Sequence, residues 1–82
     1  MTNTAAKIVA LMNDFTFGTT WLEIVSSVNG SQNTIKRAMR ELIALGVVVW
    51  ANNRTDEPDW DYREAGGSIC FNLTALLDTR TP

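Results

Sequence analysis

Apolar positions along this chain recur with two different periods. From Thr4 onward, Ile8, Leu11, Met12 and Phe15 fall three and four apart, the spacing that lines one face of an α-helix. Thr4 is the expected N-cap, and the pattern predicts a first helix over residues 4–14. Phe15-Thr16-Phe17-Gly18 breaks that period, and its aromatic and β-branched content predicts a short strand or extended link. Thr20-Trp21-Leu22-Glu23 has a threonine three residues ahead of a glutamate, the signature of a capping box. It opens a second helix over 20–28, with Leu22, Val25 and Val28 expected on one face. Asn29-Gly30 predicts a tight turn, because both residues tolerate positive φ. A longer helix follows over 31–45. Ser31 is placed to cap it, Ile35, Met39 and Leu42 form its apolar stripe, and Ala38 and Leu45 widen the stripe. Gly46 sits where such a helix can end in a left-handed residue.

Beyond Gly46 the period shortens to two. Val47-Val48-Val49-Trp50 is β-branched and apolar, and Ile69, Phe71 and Leu73 alternate onto one face. These runs predict strands at about 47–53 and 68–73, paired as an antiparallel hairpin around the polar, turn-rich segment Ala51–Gly67. Trp60 and Tyr62 alternate with Asp59 and Asp61, which extends the strands into that insert. A last helical turn is expected near Leu73–Asp78, with a frayed tail from Thr79. The predicted fold is α+β: three helices, the last two joined by a tight turn, then a C-terminal β-hairpin.

Composition narrows the chemistry. The chain has 82 residues, enough for one domain over 1–82 but with little room for an enclosed active site. It contains no histidine and one cysteine, so the usual general base, the commonest metal ligand and the usual zinc sites are missing. Gly66-Gly67 is an isolated pair, not a phosphate loop. The acids clustered at 56–64 suit a solvated surface better than a carboxylate catalytic pair. No enzymatic activity, metal or cofactor is expected. No apolar run approaches the roughly 18 residues of a membrane span. The N-terminal stretch has one lysine and a broken apolar pattern, so no secretory signal is expected. Cys70 lies in a strand-like apolar run and is expected to be a buried, inert thiol. These readings fit a cytoplasmic protein.

In this order the elements resemble the winged helix-turn-helix superfamily over about residues 4–74. The most specific stretch is Ser31-x-x-Thr34-Ile35-x-Arg37-x-Met39-x-x-Leu42-x-x-Leu45-Gly46-Val47-Val48. It looks like the recognition helix and first wing strand of many bacterial and phage regulators. Phe71-Asn72-Leu73-Thr74 resembles the close of their second wing strand. The resemblance implies a three-helix bundle with a C-terminal β-hairpin wing, and helix 31–45 inserted in the major groove of double-stranded DNA.

On that helix Gln32, Asn33, Lys36, Arg37 and Arg40 lie off the apolar stripe. Gln and Asn can pair bidentately with adenine, and Arg and Lys with guanine. Thr34, near the stripe edge, suits a phosphate or a thymine methyl. Arg37 is also spaced to pair with Glu41 four residues on. Arg54, at the base of the expected wing, can reach a phosphate. The competing reading of the whole face is a solvated helix surface.

Charge argues against a conventional wing. Residues 1–55 carry five positive and three negative charges, whereas 56–82 carry two positive and six negative. Asp56, Glu57, Asp59, Asp61 and Glu64 fall in the expected wing, where phosphate would repel them. Three arrangements follow. The helix binds DNA while the wing points away, toward a second subunit for instance. Alternatively, the wing binds another protein, with Trp60 and Tyr62 as aromatic anchors, although both rings also suit packing on the hairpin. In the third, the protein is an interaction module whose acidic strip mimics a nucleic-acid backbone, as in phage-type inhibitors of host nucleic-acid machinery. A homodimer would use helix one, the wing or the C-terminal segment. Phe15, Phe17, Trp21, Trp50 and Phe71 are expected in the core.

Overall fold

The structure, a computed structural model, describes residues 2–15, 18–51, 54–60 and 69–76. Its first element is helix α1 (Asn3–Asn13), capped by Thr2, whose Oγ1 accepts the Ala5 N–H at 3.1 Å. The cap therefore lies two residues ahead of the expected Thr4. The apolar stripe begins at Ala5, which is buried with Ile8 and Met12. An alanine carries too little apolar surface to mark the start of a stripe by pattern alone. After α1 the Phe15 N–H closes on the Met12 carbonyl and the Gly18 N–H on that of Phe15. The extended segment comes later, as strand β1 (Thr19–Thr20). Thr16 and Phe17 lie outside the described residues.

Helix α2 (Trp21–Ser27) starts at a complete capping box. Thr20 Oγ1 accepts the Glu23 N–H at 3.1 Å, and Glu23 Oε1 accepts the Thr20 N–H at 3.0 Å. Two donors of the first turn are thereby satisfied reciprocally. The helix faces the core with Trp21 and Ile24, followed by Val28 at its C-cap, while Leu22 is 61% exposed. The expected face through Leu22 is thus rotated by one residue. Trp21 offers more apolar area than Leu22 and takes the inward position, and Ile24 and Val28 follow at helical spacing.

Helix α3 (Gln32–Ala44) is capped by Ser31 and buries Ile35, Ala38, Met39, Leu42 and Ile43. Leu45, expected to widen this stripe, is instead the C-cap and is 62% exposed. The chain leaves the helix there, and Gly46 takes φ +74°. A glycine adopts that conformation without the Cβ penalty of other residues.

Strands β2 (Val48–Trp50) and β3 (Cys70–Leu73) pair antiparallel in the register Val48 with Leu73 and Trp50 with Phe71. β1 pairs with the other edge of β3, so the sheet order is β1-β3-β2. Ile69, Phe71 and Leu73 do share the buried face. Alternation also turns Cys70 outward, so its thiol is exposed rather than buried. β2 ends at Trp50, and residues 52 and 53, expected in the same strand, lie outside the described residues. Ala51 turns the chain with φ +41°, and Trp50 and Arg54 exchange backbone hydrogen bonds across the turn. At the far end of β3, the Thr74 N–H donates to the Val47 carbonyl and its Oγ1 to that of Gly46. This ties the sheet to the end of α3. Residues 74–76 form the start of the expected last helical turn.

Segment 54–60 is not an extension of the hairpin. It folds back over the domain, with Pro58 and Trp60 both buried. Trp60 joins the core cluster beside Trp21 and Phe71, its ring centroid 4.6 Å from that of Trp21 and 5.8 Å from that of Phe71. Trp60 is therefore not an accessible partner anchor: an indole gains more by joining two buried aromatics than by facing water. Tyr62, its expected companion, lies outside the described residues. Phe15 and Trp50 are half-buried at the core margin. The result is a small α+β domain: helices around an antiparallel sheet, with one core between them. Among the described residues no helix is long and apolar enough to cross a membrane.

Candidate nucleic-acid interface

At 3.6 residues per turn, the buried residues of α3 fall on one side of the helix. Asn33, Arg37, Arg40 and Ala44 fall on the opposite side, and all four are exposed. Gln32 and Thr34 are exposed in the first turn, and Lys36 is half-buried on one flank. Ser31 Oγ accepts the Thr34 N–H at 3.2 Å, and the two hydroxyls lie 3.0 Å apart. The Thr34 hydroxyl is thus part of the cap. No acidic residue occupies the first turn, so the positive end of the helix dipole faces outward unneutralised.

The two flanks of this face differ. On one side Thr34, Arg37, Ala38 and Glu41 line a shallow groove with Thr2 and Thr4 at the start of α1. On the other, segment 54–60 approaches. Arg40 Nε donates to Glu57 Oε1 at 2.5 Å, and Trp60 Nε1 donates to the same oxygen at 2.9 Å. These bonds hold the Glu57 carboxyl below the usual glutamate range, the indole bond contributing most and the Arg40 bond next. The charges of Arg40 and Lys36 add to the effect, while partial desolvation opposes it and loses.

Arg54 belongs to a separate cluster. Its guanidinium lies 4.2 Å from the centroid of the Trp50 ring and pairs with Asp56, Nη2 to Oδ2 at 2.6 Å. Trp50 Nε1 donates to the Asp56 carbonyl at 2.6 Å. The bond to Arg54 holds the Asp56 carboxyl below its ordinary value and raises that of Arg54.

Of the sequence-derived candidates, Asn33, Lys36, Arg37 and Arg40 share the outer surface of α3 and Gln32 sits at its start. Thr34 is partnered by Ser31, and Arg54 is paired within its own loop. Glu57 joins the site without a signal in the sequence that places it there. Its charge was legible, but not its partner, which lies seventeen residues away across a turn. Among the described residues no group of three or more His, Cys, Asp or Glu side chains could hold a metal ion. Comparison with protein-family models, curated proteins and solved structures finds no match to this chain.

Proposed function

We propose that this chain is a winged helix-turn-helix domain that binds double-stranded DNA through α3, as a sequence-specific transcription regulator of bacterial, phage or plasmid type. One observation carries the reading. A capped helix of 13 residues presents Asn33, Lys36, Arg37 and Arg40 on its solvent face, with no acid in its first turn. Such a face can offer Asn to adenine, Arg and Lys to guanine or phosphate, and its first N–H groups to a phosphate. The element order and the three-stranded antiparallel sheet suit the same architecture. The alternative, a protein-interaction module working through its acidic segment, is weaker. Trp60 is buried, and Asp56 and Glu57 are engaged with Arg54 and Arg40.

The test is a binding titration on a random-sequence duplex at low salt, using the wild type and a Lys36→Ala/Arg37→Ala/Arg40→Ala variant. Binding by the wild type and its loss in the variant is the expected result. No binding by the wild type would sink the DNA reading, and equal binding by the variant would sink the assignment to α3.

A further inference from the structure

Arg40 and Glu57 form more than a surface ion pair. Exposed pairs usually leave both side chains free to move, and they hold little. Here the carboxylate is fixed from behind. Glu57 Oε1 accepts the indole N–H of Trp60, and that indole is 9% exposed and packed on Trp21 and Phe71. The order of the core is thereby passed through Trp60 to Glu57 and on to Arg40. The contact is made through Nε, at 2.5 Å. Among the described residues, the hydrogen bond of Arg40 is made through Nε and leaves the two terminal nitrogens out of it. Those two nitrogens are the ones that meet O6 and N7 of a guanine end-on.

We infer that Glu57 is a positioning residue that holds Arg40 on the outer face of α3 with its terminal nitrogens aimed outward, so that Arg40 reads a guanine rather than neutralising a phosphate. The inference rests on the DNA reading above. Its physical content is a trade between two modes of binding. A free arginine on this face would be a mobile cation with its full charge available to the backbone. An arginine matched by a carboxylate and fixed at Nε attracts phosphate less, and it has already lost the freedom that ordering on a base edge would remove. The opposite role for Glu57 is a shield that competes with phosphate for Arg40. A shield would be expected to engage the terminal nitrogens, the most accessible donors of the guanidinium, whereas Glu57 engages Nε.

The experiment is selection of duplexes from a random pool by the full chain, comparing wild type, Arg40→Ala, Glu57→Ala and Glu57→Gln. Glu57→Gln keeps a carbonyl acceptor for the Trp60 indole while removing the charge, which guards against a folding defect. Circular dichroism checks that each variant is folded. The wild type should enrich a motif containing a guanine whose preference falls by about tenfold in Arg40→Ala, the size of one bidentate base contact. Glu57→Ala should lose preference at that same position and no other. Its affinity for random duplex should hold or rise, because a negative charge has been removed. Glu57→Gln should lie between. A motif that Glu57→Ala retains unchanged overturns the inference, even if overall affinity rises, since that is the signature of a shield. Absence of any enriched motif with a wild type that binds duplex overturns this inference, and absence of binding overturns the DNA reading with it.

Discussion

The Trp60 ring lies 4.6 Å, centroid to centroid, from the Trp21 ring, at 48° between their planes. This places an acidic loop against the capped first turn of α2. Both indoles are buried, and Phe71 of the central strand completes the group. Truncating Trp60 should therefore act on the fold. Trp60→Ala is expected to destabilise the domain by about 3–5 kcal/mol, the usual range for emptying a large aromatic site, read from the urea midpoint. An unchanged midpoint would contradict the packing described.

The buried hydroxyl of Thr19 provides an opposite test. Thr19 is fully buried on the β1 edge, and its Oγ1 has no hydrogen-bond partner among the described residues. Thr19→Val keeps the shape and the β-branch while removing an uncompensated polar atom. Stability should rise by about 0.5–1 kcal/mol, because an unsatisfied buried hydroxyl is unfavourable and its apolar replacement is not. A loss of stability would mean that the hydroxyl has a partner in solution.

Acid should weaken the hold on Arg40 with a definite sign. The carboxyl of Glu57 lies below its ordinary value because it accepts from Trp60 and Arg40. Its contribution is therefore fully present above the unfolded glutamate value of about 4.3. It is lost as pH falls through the lower folded value, where the carboxylate becomes protonated in the native state as well. Thermal melts of wild type and Glu57→Gln should differ at neutral pH and converge as pH falls below that window. A difference that does not change with pH would contradict the pairing.

Several of these features were legible in the sequence and several were not, for identifiable reasons. The capping box at Thr20 and Glu23, the Ser31 cap and the glycine exit at Gly46 are local chemistry and stand where the pattern placed them. The face of α2 is not legible because Trp21 and Leu22 are adjacent apolar residues in a helix of 7 residues, too short for periodicity to fix the phase. Leu45 continued the stripe by spacing but falls after the last helical residue. Trp60 stands in an acidic, turn-rich run that reads as solvated surface. Its burial is decided by Trp21 and Phe71, far away in sequence. The candidate face of α3 was legible because an amphipathic helix displays whatever its stripe does not bury. The pairing of Arg40 with Glu57 depends on the reversal at Ala51 and was not.

On the proposed DNA reading, that pairing changes the expected salt dependence of binding. Four unopposed cations would give a log–log slope of about −3 to −4. Arg40 is matched by Glu57 and Arg54 by Asp56, which leaves two unopposed cations, so the slope should be about −2, and Glu57→Gln should steepen it by about 1. Equilibrium titrations of a duplex between 50 and 200 mM salt, a range of about fourfold over which such slopes are resolved, check this. A wild-type slope of about −3.5 would show that the paired arginines contact phosphate after all.

On the proposed reading, the outer face of α3 meets the duplex. The most direct measurement follows backbone amide resonances of the isotope-labelled chain as duplex DNA is added at low salt. The largest shifts should fall on residues 31–40, with Asn33, Arg37 and Arg40 among them and Leu22 unaffected. Saturable shifts concentrated on another surface, or no shifts at all, would contradict it.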